Sequence, residues 1–171
     1  MKKVLIILVF LSFIFLPKLS FSQNTLENEF LNRYKKVNPV SLELSKTLTK
    51  LDDIRQDLEK IAQQSKNADD IRLIAISSVK IQLIETICFY ENQLLVVSVV
   101  IEKDSRLIYF NEARKRIDFQ KIKINEHLYT IRSIFTKITD NAALHLLSEA
   151  KGTINLLLTL LDRCLEAVRQ N

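Results

Sequence analysis

The chain has 171 residues, a formal charge of +5, one glycine, two prolines and two cysteines. So few turn-forming residues exclude a strand-rich fold, which draws on glycine and proline at its turns, and a lone glycine excludes a glycine-rich phosphate loop. The basic charge belongs mostly to the N-terminus: without residues 1–22, lysine plus arginine fall from 25 to 22 against 20 acids, which leaves nucleic-acid binding by bulk charge without support.

Residues 1–22 read as a cleaved signal peptide. Lys2-Lys3 precede the uncharged stretch Val4 to Leu16, and Ser20 and Ser22 are small residues at −3 and −1 of a cut after Ser22. The stretch is shorter than the ~20 residues that span a bilayer. The membrane is therefore expected to be a partner only before cleavage, with an uncleaved anchor as the competing reading. No cysteine stands at the cut and no Asn-x-Ser/Thr sequon occurs, which suits an exported bacterial protein, periplasmic or secreted.

Residues 23–171 are expected to form a single helical-bundle domain. Asn38-Pro39 is a helix start, an N-cap followed by proline at the first helical position. It divides a short leading helix or kinked extension, 25–37, from a long helix, 39–64, with Leu44, Leu48, Leu51, Ile54, Leu58 and Ile61 as its apolar stripe. The polar run 63–70 ends that helix, and Asn67 with Asp69 and Asp70 opens the next, expected over 68–103. There Ile76, Val79, Leu83, Ile87, Tyr90, Leu94, Val97 and Ile101 recur at helical spacing. That stripe outweighs the local β preference of the valine-rich run QLLVVSVV.

A turn at 102–106, without glycine or proline, leads to a helix over 106–139 whose stripe is Phe110, Ala113, Ile117, Ile124, Leu128, Ile131, Phe135 and Ile138. A second turn at 139–141 leads to a helix over 141–169. Its Ala143, Leu147, Ala150, Ile154, Leu157, Leu161, Cys164 and Val168 alternate in the 4-3 steps of a coiled coil. Short links make neighbours antiparallel, so the expected fold is all-α, an antiparallel up-down-up-down four-helix bundle.

The chain carries no Cys-x-x-Cys-His, His-Glu-x-x-His or Gly-x-Ser-x-Gly motif, and neither histidine has a glutamate three residues before it. No enzyme activity, metal or cofactor is therefore expected. His145 and Glu149 stand one turn apart and read as a helix-surface contact. Cys88 and Cys164 are candidates for a disulfide in an exported chain. They lie on helices that sit diagonally, so two buried free thiols are the competing reading. The run ARKRIDFQKIK supplies Arg114, Lys115, Arg116, Lys121 and Lys123 as a candidate anionic contact. Helical winding spreads these into a collar, which suits a solvated helix beside an acidic neighbour.

Opposite the stripes, Phe89, Val96 and Val100 on the second long helix and Ile108, Phe119, Ile122 and Tyr129 on the third form a candidate partner surface. Phe89 and Phe119 are expected level with each other on adjacent helices. The function that follows is an exported, non-enzymatic bundle that binds or scaffolds a protein partner, or a second copy of itself, through this face. The alternative is a sensor-type bundle holding a small apolar molecule at an interior site.

Overall fold

The computed structural model describes residues 23–170. The chain divides into two compact units, Met1–Asn32 and Arg33–Asn171. The signal-peptide segment 1–22 lies outside the described residues. Four long helices follow in order: α1 Gln23–Gln64, α2 Ala68–Val97, α3 Arg106–Phe135 and α4 Asn141–Arg169. Within the second unit they form the antiparallel four-helix bundle. Arg55 of α1 meets Glu85 of α2, and Lys50 and Glu43 of α1 pair with Glu149 and Arg163 of α4. On the other side, Arg116 of α3 meets Glu91 of α2, and Lys121 of α3 meets Asp162 of α4. The helices thus stand in a ring in chain order, with α2 and α4 across a diagonal.

The expected boundary at Asn38-Pro39 is absent, and α1 runs through the proline. Proline removes its own N–H from the ladder and crowds the carbonyl four residues back, while Val37 and Val40 on either side are buried in the core and hold the chain helical. Asn38, read as a cap, instead accepts from the Tyr34 hydroxyl one turn back, at 3.0 Å.

Stripes on α1 and α4 pack inward as expected: Leu44, Leu51, Ile54, Leu58, Ala143, Leu147, Ile154, Leu157 and Leu161 are all buried. On α3 the inward line holds at Ala113, Ile117, Ile124, Leu128 and Ile131, while Phe110 is half-buried and Phe135 exposed; the helix ends at Phe135 rather than at 139, and Ile138 is buried in the link that follows. α2 faces the other way. Its buried line is Ile74, Ser77, Ile81, Ile84, Cys88, Glu91 and Leu95, while Ile76, Val79, Leu83, Tyr90 and Val97, expected inside, are exposed. Three of the buried polar groups have side-chain hydrogen bonds, two to partners remote in sequence and one to the preceding turn. Asn92 donates to Ser45 Oγ at 2.9 Å, Glu91 accepts from Arg116 at 2.9 Å, and Ser77 donates to the Leu73 carbonyl at 3.0 Å.

Asn67 caps α2 as expected, accepting from the Asp69 and Asp70 amides. The far end of α2 comes earlier than the sequence suggests. The helix stops at Val97, passes through short 3₁₀ turns at Ser98–Val100 and Lys103–Ser105, and is extended at Ile101 and Glu102. No glycine is needed, because side chains from α1 and α3 hold carbonyls around the break. The Arg33 guanidinium donates to the carbonyls of Ser98 (3.4 Å) and Ile101 (2.7 Å), and the Tyr109 hydroxyl donates to Leu94 O at 2.6 Å. At the opposite end of the bundle, Asp70 secures the α3–α4 turn by accepting from the Thr139 amide (2.9 Å) and hydroxyl (2.7 Å).

Those hydrogen bonds, the hydroxyl first and the amide second, hold the Asp70 carboxyl below its ordinary pKa. A depressed folded-state pKa contributes stability above the unfolded value of about 3.9, and the contribution is lost as pH falls through the folded value. Asp70→Ala is therefore expected to lower the thermal midpoint at pH 7, with the gap to wild type closing as pH drops below about 4. Melts followed by circular dichroism at pH 7, 5 and 3 measure this.

Candidate docking surface

Because the buried line of α2 points to the axis, winding at about 100° per residue turns Ile76, Val79, Leu83, Tyr90 and Val97 to the opposite side. These five side chains expose 39–54% of their surface. Of the charged residues between Ile76 and Val97, Glu85 turns to Arg55 of α1, Glu91 is buried, and Lys80 lies on the flank towards α3. The outer line itself is uncharged for about 32 Å at 1.5 Å per residue. The stretch Ala68–Val100 is long and apolar enough to cross a membrane, yet only 33% of its most apolar window is buried in the bundle.

All seven residues expected at a partner surface are exposed, from Val96 at 45% to Tyr129 at 73%. They do not form one patch. Helical winding puts Phe89 and Val96 on the flank of α2 that carries Glu85 towards α1, and Val100 lies in the 3₁₀ turn. On α3, Ile108 and Phe119 lean to the α2 side, whereas Ile122 and Tyr129 turn to the α4 side. Given the register set by Glu91 and Arg116, Phe119 is level with Phe89 as expected but separated from it by the width of α2. Its neighbours in height and side are Ile87 and the outer line. The five outer-line residues are the ones that the sequence reading missed. The available signal was that α2 carries two apolar lines, only one of which a core needs.

The basic collar is largely spent on local pairs. Arg116 meets the buried Glu91, Lys115 meets Glu112 at 3.1 Å, Lys121 meets Asp162 at 2.7 Å, and Lys123 meets Glu126 at 2.9 Å while standing over the Phe119 ring. Arg114 is exposed. Glu149, considered beside His145, takes Lys50 at 2.9 Å. Among the described residues no group of three His, Cys, Asp or Glu side chains is placed to hold a metal.

Cys88 and Cys164 are both buried and free. Burial, chiefly, pushes each thiol up to about 12, and each lies within electrostatic range of Glu91. Two shallow grooves open on the surface. One of about 400 Å³ lies between Lys46, Thr47 and Lys50 of α1 and Gly152, Thr153 and Leu156 of α4. A second of about 220 Å³ lies between Ile131, Arg132 and Phe135 of α3 and Leu147, Ser148 and Lys151 of α4. Neither is an interior chamber. A Cβ at Gly152 would meet nothing within 4 Å, so the glycine serves no close helix approach.

Comparison with family models, with curated proteins and with solved structures finds no match to this chain.

Two outcomes follow from the buried groups. The nucleophilic form of cysteine is the thiolate, so a thiol reagent at pH 8 is expected to label neither cysteine in the folded protein and both after denaturation. Arg116→Ala strands the Glu91 carboxylate, whose side chain is 1% exposed, and is expected to cost about 3 kcal/mol in chemical denaturation. Lys123→Ala, at the surface, should stay within about 0.5 kcal/mol.

Proposed function

We propose that the chain is an exported, non-enzymatic helical bundle that docks a protein partner through the outer line of α2, with Ile108 and Phe119 of α3 alongside. The observation that carries this reading is the α2 line from Ile76 to Val97, uncharged and open to water. A monomer gains nothing from a continuous apolar strip in water, and such strips mark interaction surfaces. Export rests on the sequence of residues 1–22, with its basic start, apolar stretch and small residues before Gln23.

An interior ligand has less support, because the buried apolar side chains of all four helices join in one cluster. A lipid surface has less as well. Amphipathic membrane binders set unpaired basic residues beside their apolar face, whereas Lys115 and Lys123 on this side of α3 have acids three residues away.

Tagged mature protein, isolated from its own envelope fraction, is expected to begin at Gln23 and to carry a stoichiometric partner. Leu83→Glu should cut partner recovery at least tenfold while leaving stability within about 0.5 kcal/mol, since the site is at the surface. Lys115→Glu should leave recovery unchanged. Equal recovery by wild type and Leu83→Glu would overturn the reading.

A further inference from the structure

We infer that the partner is a second copy of this chain, packed antiparallel along α2 about a two-fold axis passing between Thr86 and Ile87. The inference rests on the docking reading and names its occupant. A two-fold interface is self-complementary: if residue i meets j, then j meets i. The α2 outer line has that property. Ile76 and Val97 are equidistant from the midpoint, as are Leu83 and Tyr90, and Val79 is matched by the half-buried Leu94 beside the line. Each pair matches one apolar side chain with another. With the half-buried Ile87 and Leu94 filling the two seven-residue gaps, the line steps by threes and fours, the spacing of a seam that two helices share.

Charge is compatible with self-pairing. The line is uncharged, so no like charges meet at the axis. On the flanking α3 face, Lys115 pairs with Glu112 and Lys123 with Glu126, and Lys80 of α2 lies level with the uncharged Gln93 of the second copy.

The area is also sufficient. The five α2 residues with Ile108 and Phe119 expose 39–68% of their surfaces. At roughly 150–250 Å² per large side chain, the patch is on the order of 800 Å², about what each partner contributes to a standard stable interface.

The test uses the mature chain. Light scattering at concentrations on the order of 100 µM is expected to give the dimer mass for wild type and half that mass for Leu83→Glu, with unchanged helical circular dichroism. Under mild oxidation Thr86→Cys, beside the axis, should cross-link to itself. Val97→Cys should not, but mixed with Ile76→Cys it should. The native Cys88 and Cys164 are buried and do not compete. Self-cross-linking of Val97→Cys as efficient as that of Thr86→Cys would overturn the antiparallel axis. A wild-type monomer would overturn self-pairing. If that monomer still carries a different stoichiometric protein that Leu83→Glu loses, the docking reading survives. If it carries none, or floats with phosphatidylcholine vesicles, both fall.

Discussion

The rotation of α2 about its own axis depends on one ion pair. The Glu91 side chain is 1% exposed, and a carboxylate that deep is tolerated only against a cation with good geometry. Arg116 supplies it, using Nε to approach both carboxylate oxygens at 2.9 and 3.1 Å, and it also stands beside the Tyr109 phenol, whose pKa burial raises. Turning α2 by a residue in either direction would swing Glu91 away from Arg116. It would also part Asp70 from Thr139 and Asn92 from Ser45. These three contacts lie along the whole length of the helix, so they fix its phase from end to end.

That constraint explains which parts of the fold were legible in the sequence. On α1 and α4 the apolar positions form one line, and hydrophobic periodicity alone selects the buried face. On α2 two lines compete, and the more apolar one is outside. Periodicity ranks faces by apolar content and cannot see that Glu91, Asn92 and Asp70 have partners 25, 47 and 69 residues away. The early end of α2 was hidden for the same reason. Its stop signal is the Arg33 side chain, 65 and 68 residues distant from the carbonyls it holds, rather than a local glycine or proline. At Pro39 the local signal was present, but burial of the flanking valines overrode it.

The candidate surface was legible in part for a related reason. The exposed residues named from sequence are indeed exposed, because any apolar residue off the principal stripe is left outside. Their grouping was not, since the face of α2 opposite a misassigned core is itself misassigned. In the observed phase Phe89 and Val96 lie on the α1 flank, and Leu83 and Tyr90 stand at the centre of the outer face. A chain selected for packing alone would gain by burying the purely apolar line and exposing the serines and the glutamate. The observed choice leaves that line free for contact outside the bundle.

The Arg33 contact also sets a limit on how far the bundle can be shortened. This guanidinium ties the start of the second compact unit to the 3₁₀ connection between α2 and α3. A fragment beginning after it would take the guanidinium away from the Ser98 and Ile101 carbonyls. With no glycine or proline to shape that connection, its backbone would lose a fixed path. Arg33 thus serves as the N-terminal keystone of the fold, a part played by a single side chain four residues before Val37, the nearest buried valine of the core.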